Sequence, residues 1–291
     1  MIKNILSLMS LFISAHILGV VVGYVFLSGL SGVEVEGFGI DDIFFIILGL
    51  IFTVIILLII TKLFDELLLY KIMDFFMVVA ASFVVFYGFG FYLGYNELIA
   101  IVLALALSTF KFFNPSIKNI TAVASSTGVA IMFAMFLGFY EAIIFLVVMC
   151  VYDFIAVFVT QHMITFAREF SKRNMSFSIS SQEKVAERVM VKTKGGKLKE
   201  VIEERVERLE LGTGDIAIPL TFTLIVFKEM LVYNIGAAVA AFIFISVFSA
   251  CSLALVFSYV LRKKAFLPAL PPIILGTLMG YMFAYLLGLI L

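Results

Sequence analysis

Apolar runs close to 20 residues long recur from one end of the chain to the other, and the short stretches between them hold nearly all the charge. About 20 residues of helix cross a hydrocarbon core of roughly 30 Å. The runs therefore predict nine membrane-spanning helices, at roughly 5–30, 43–61, 75–93, 98–113, 119–138, 142–166, 211–232, 236–261 and 267–291. The first run follows Lys3 and is longer than the apolar core of a secretory signal, with no small-residue cleavage site after it, so it is expected to be retained as a span.

The charges sort by side. When the runs alternate in direction, Lys3, Lys62, Lys71, Lys111, Lys118, Arg262, Lys263 and Lys264 fall on one face, together with the basic residues of a long connection from Arg168 to Glu210. Only Lys228 falls opposite, where the connections carry mostly acids such as Glu34, Glu36, Glu97 and Glu141. Lys and Arg mark the cytoplasmic side, so the N-terminus is expected in the cytoplasm and the C-terminus outside the cell. Adding or dropping one early helix would scatter the basic residues, which supports the count of nine.

The chain divides accordingly into six spans over 1–168, a charged cytoplasmic loop over 169–210 and three spans over 211–291, all within one membrane domain of all-α class. The loop is read chiefly as solvated and flexible, because so charged a segment buries little. A hairpin around Gly195-Gly196, flanked by Val189-Met190-Val191 and Leu198, is the alternative.

Composition narrows the function. The 291 residues are 64% hydrophobic and 14% charged with zero net charge, which makes the lipid bilayer the surroundings and gives no sign of a nucleic-acid partner. Cys150 and Cys251 each lie in an apolar run, and His16 and His162 stand far apart without a second nitrogen or sulfur ligand nearby. Neither a disulfide framework nor a metal site is expected, and no cofactor is called for.

One acid breaks the pattern of charges at span ends, and a second stands out by its local sequence. Asp153 lies in the sixth run, between Phe145-Leu146-Val147-Val148-Met149 and Phe154-Ile155-Ala156-Val157-Phe158-Val159. An Asp at the centre of a spanning helix costs roughly 2.5 to 3.5 kcal/mol, so it is a candidate functional group by default. The plain alternative is a protonated acid bonded to a neighbouring helix. Asp215 lies in Leu211-Gly212-Thr213-Gly214-Asp215-Ile216-Ala217-Ile218-Pro219 at the start of the seventh run. Gly212 and Gly214 permit close approaches, and Pro219 lacks the N–H that would bond the carbonyl of Asp215. The plain alternative here is an Asp in an ordinary first turn, favoured by the helix dipole.

Depth allows the two acids to meet. Asp215 is about five residues past Glu210, roughly 7 Å in; if the hydrocarbon part of the sixth helix ends at Thr160-Gln161-His162, Asp153 is roughly 10 Å in. Two adjacent acids do not both ionise readily, and a shared proton leaves one acid and one base. That pair suits peptide hydrolysis, the charged member taking a proton from water while the neutral member polarises the carbonyl. A proton-coupled transporter or channel using the same carboxylates is the rival from another class.

Tyr152-Asp153, Gly212-Thr213-Gly214-Asp215 and Pro268-Ala269-Leu270, in this order on the sixth, seventh and ninth helices, resemble the presenilin and signal-peptide-peptidase family. The resemblance implies a membrane-embedded aspartyl protease whose partner is a transmembrane peptide or protein. It further implies that Asp153 and Asp215 are the catalytic pair, that Tyr152, Gly212 and Gly214 support them, and that Pro268, Ala269 and Leu270 engage substrate. The compact loops look like a microbial, archaeal-type homologue, and the cytoplasmic loop looks like the presenilin branch. Thr213 stands where animal presenilins usually carry Leu. From the residues alone, Pro268, Pro271 and Pro272 are a helix start, and Gly276, Gly280, Ala284 and Gly288 form a small-residue stripe expected to pack on the catalytic helices.

Overall fold

A computed structural model describes residues 2–30, 48, 67–159, 175–192, 198–263 and 268–288. Eight α-helices and one β-hairpin occupy these residues: α1 (Ile2–Leu30), α2 (Leu67–Leu93), α3 (Glu97–Phe113), α4 (Lys118–Phe136), α5 (Phe139–Phe154), β1 (Ser178–Lys192), β2 (Leu198–Gly212), α6 (Gly214–Leu231), α7 (Ile235–Lys263) and α8 (Leu270–Leu286). They correspond to the first span and to spans three to nine of the sequence. The second predicted span, 43–61, lies outside the described residues.

The helices end where the local chemistry directs. Asn96 caps α3 by accepting the Ile99 N–H, and Asn114 caps a 3-10 turn that opens on Pro115 and leads into α4. Among the described residues, five helices are long and apolar enough to cross a membrane, the spanning parts being Lys3–Ser28, Lys71–Leu93, Pro115–Phe136, Phe139–Val159 and Ile235–Leu261. The chain is a multi-pass membrane protein.

α6 is the axis of the bundle. It touches α1, α4, α5, α7 and α8, and every residue from Ile216 to Phe227 is buried. A helix surrounded on all sides has to be apolar all round. Gly19 and Gly23 of α1 face Leu220 and Leu224 of α6, and a Cβ on Gly128 of α4 would run into the carbonyl of Ala81 in α2. These glycines set how closely the helices approach.

Lys228, the exception to the charge sorting, does not reach outward as a free charge. Its ammonium donates to the carbonyls of Ala134 and Leu137, each at 3.1 Å, and so closes the C-terminal end of α4.

The charged loop departs from the chief expectation of a flexible segment and takes the hairpin alternative. Ser178–Lys192 and Leu198–Gly212 pair as antiparallel strands of 15 residues each, from Ser178 opposite Gly212 to Lys192 opposite Leu198. The ladder is roughly 50 Å long. The base of this hairpin is not solvated: Ile179, Leu209 and Leu211 are buried in a cluster with Leu8 and Phe12 of α1, Ile216 of α6 and Leu253 of α7. Alternation provides the anchor, since Leu209 and Leu211 share one face of β2 and Leu211 lies opposite Ile179. The seventh span begins at Gly214 rather than 211, because residues 211 and 212 finish the strand.

Candidate active site

Asp153 stands in the last turn of α5 and is buried at 6% exposure. Beyond it the chain continues as a π-helical turn, Ile155–Val159. Such widened turns recur at functional sites, since they re-aim side chains without ending the helix. The Thr160-Gln161-His162 stretch used to judge depth lies outside the described residues.

Asp215 is the second residue of α6, half-buried, directly after the hairpin. Its carboxyl turns back toward the Gly212 N–H and is within electrostatic reach of Asp153. A Cβ on Gly212 would lie 3.2 Å from Asp215 Oδ2, so a side chain there would press the carboxyl aside by a few tenths of an ångström. Gly214 differs: it is exposed, and a Cβ there would meet nothing within 4 Å. Its missing side chain leaves open space beside the acid.

Pro268-Ala269-Leu270 arrives at the same place from α8. Pro268 and Leu270 are buried, and the Leu270 N–H donates to Asp153 Oδ2 at 3.2 Å. The carbonyl of Ala269 accepts the Ile273 N–H at 3.3 Å, so Pro268 and Ala269 lead into α8 and Leu270 begins its first turn, with Pro271 and Pro272 tolerated where helix N–H groups have no partner. Tyr152, partly buried, precedes Asp153 on α5. The three motifs thus converge from α5, α6 and α8.

Nothing in the local pattern shows how Thr213 contributes. Its N–H and its hydroxyl both donate to the Phe177 carbonyl, at 3.0 and 3.2 Å, which ties the turn before Asp215 to the residue that enters β1. The partner is a backbone carbonyl 36 residues away, which no local pattern announces. The glycine stripe also differs from expectation. Gly276 and Gly280 meet Ser252, Phe248, Phe244 and Ile245, all on α7 rather than on the helices bearing the acids, and Gly288 has a positive φ of 66° beyond the end of α8.

Over residues 9–290 the sequence matches the profile of the family described as signal-peptide peptidase, presenilin aspartyl protease. The chain belongs to that family. Two solved structures, each described as a presenilin family intramembrane aspartate protease and crystallised in the C222 and P2 space groups, have the same fold. The first gives a TM-score of 0.66 at 19% identity over 97% of this chain and 99% of its own. The second gives 0.64 at 19% identity over 97% of each. A direct search finds no match among curated proteins. The presenilin-family protein is accordingly an intramembrane aspartic endopeptidase.

Proposed function

We propose that Asp153 and Asp215 are the catalytic pair and that they hydrolyse peptide bonds of transmembrane helical substrates. The observation that carries this reading is the convergence of the two carboxyls, from α5 and α6, with the Leu270 N–H of α8 bound to one of them. One carboxylate accepts a proton from a water, whose oxygen attacks the scissile carbonyl carbon. The other, protonated, donates to the carbonyl oxygen. The tetrahedral intermediate then collapses as the leaving amide nitrogen takes a proton, and the C–N bond breaks. Family membership favours this chemistry over a proton-coupled transporter.

A helical substrate shields its scissile carbonyl until a stretch unwinds, and the freed N–H and C=O groups then need partners. The hairpin offers them on β2. Phe177 accepts the Thr213 N–H, which makes Ser178 and Gly212 a pair that does not bond to each other, and alternation gives Ser180 and Glu210 the same character. The backbone groups of Glu210 and Gly212 therefore point away from β1. A substrate strand added there reaches Asp215 within three residues of Gly212.

The same end of the bundle gathers Lys71 over the Phe112 ring, Lys118 beside Glu210 at 3.7 Å, and Asn4 with Ser181. This clustering supports placing the hairpin and the N-terminus together in the cytoplasm, with Pro268, Ala269 and Leu270 closing the substrate side of the site.

A transition-state mimic of peptide hydrolysis tests the catalytic assignment. It is expected to bind the wild-type protein tightly and to lose binding in Asp215→Asn. Equal binding by both proteins sinks the assignment.

A further inference from the structure

Asp74 and Asn119 lie on helices that carry neither catalytic acid, and the chemistry above does not use them. Asn119, the second residue of α4, bonds both backbone groups of Ser180 in β1. Its Nδ2 donates to the Ser180 carbonyl at 2.8 Å and its Oδ1 accepts the Ser180 N–H at 2.9 Å. A side-chain amide has the same donor and acceptor as a peptide unit. Asn119 thus occupies the outer edge of β1 as a neighbouring strand would.

Asp74, buried in α2, holds the chain four residues earlier. Its Oδ1 accepts the Ser176 N–H at 2.7 Å, and its Oδ2 is paired with the ammonium of Lys111 on α3. The Thr121 and Ser176 hydroxyls bond each other at 2.7 Å. Between these two grips sits Phe177, whose carbonyl receives the N–H and hydroxyl of Thr213. The Thr213 carbonyl then accepts the Ile216 and Ala217 N–H groups, at 3.2 and 2.9 Å, and Asp215 sits inside that first turn of α6.

We propose that Asp74 and Asn119 are positioning residues for Asp215, acting through the segment Ser176–Ser180 and its bond to Thr213. The proposal rests on the catalytic reading given above. The bonds run without a gap from α2 and α4 to the turn that presents the acid, and each of them is directional. Burial of Leu209 and Leu211 keeps the hairpin on the bundle, but apolar contact does not fix a strand along its own axis. The polar grips do. A displacement of about 1 Å at a reacting group is worth up to roughly a hundredfold in rate, whereas the fold tolerates it.

The test uses the full chain in detergent and a single-span Leu/Ala peptide with a central Gly-Gly pair. Turnover is measured per active site, cut positions by mass spectrometry, and backbone protection by hydrogen exchange. Asn119→Ala is expected to lower kcat about tenfold or more, to spread the cut positions, and to raise exchange in 206–215, with thermal stability little changed. Asp74→Asn, which keeps an oxygen for the Ser176 N–H, is expected to retain more activity than Asp74→Ala. Should Asn119→Ala fail to fold, Thr213→Val removes only the hydroxyl link and is expected to give a weaker form of the same signature. Asp215→Asn runs alongside. If it cleaves like wild type, the catalytic assignment falls and the positioning role with it. If it is inactive while Asn119→Ala, or Thr213→Val in its place, keeps wild-type kcat and cut positions, only the positioning role is overturned.

Discussion

Leu270 donates its backbone N–H to Asp153 Oδ2 across 3.2 Å, so the buried acid of α5 is held by the first turn of α8. A side-chain change that preserves this N–H leaves the contact in place, whereas proline removes it. Proline is tolerated at a helix start. Leu270→Pro is therefore expected to lower kcat about tenfold or more while Leu270→Met stays near wild type, measured as cleavage of a single-span peptide in detergent. Equal activity in the two variants would show that the bond is dispensable.

The two acids are expected to behave as one unit. Asp153→Asn and Asp215→Asn should each reduce cleavage by roughly a thousandfold, and the double variant should be little worse. Multiplying losses in the double variant would mean that the carboxyls act independently.

The edge of β2 that faces away from β1 gives a sharper distinction. Glu210 points its N–H away from β1, while Leu209 and Leu211 direct theirs into the ladder. Glu210→Pro should therefore weaken substrate turnover without unzipping the hairpin, and Leu211→Pro should damage both. Glu210 also lies 3.7 Å from Lys118, so Glu210→Gln is the control that loses the ion pair but keeps the N–H. Full turnover in Glu210→Pro refutes strand addition at that edge.

Membrane orientation is open to direct labelling. Cysteines placed at Lys194 and Lys3 should react only from the cytoplasmic side, and one placed at Glu141 only from outside. Reaction of the Lys194 cysteine with an impermeant reagent added outside would invert the assignment.

Packing at Gly128 is expected to govern stability rather than chemistry. A methyl there meets the Ala81 carbonyl, which belongs to backbone and has little room to shift. Gly128→Ala should destabilise the protein by about 1 to 3 kcal/mol in thermal unfolding, with kcat per folded molecule unchanged.

The spans were legible because hydrocarbon imposes a simple rule: α4 begins at Lys118 and α7 at Ile235, each within a residue of the apolar run that announces it. Asp153 and Asp215 were legible for the converse reason, being acids where acids are costly. The hairpin reads only as the alternative to a solvated loop, because of its composition. Its base carries the period-two pattern Leu209-Glu210-Leu211 against Ser178-Ile179-Ser180, but the mixed charges farther along read as solvated loop. The hold of Asp74, Asn119 and Thr213 on the hairpin left no signature, because each grips a main-chain group, of Ser176, Ser180 and Phe177, and any residue there offers the same groups.

Gly276 and Gly280 bring the backbone of α8 close against α7, with Ser252 and the main chain of Phe244, Ile245 and Phe248 directly at the contact. Two rods joined this way shift together. The Leu270 bond to Asp153 then ties that pair of helices to α5, so a change in how α7 and α8 lie together is felt at the acid.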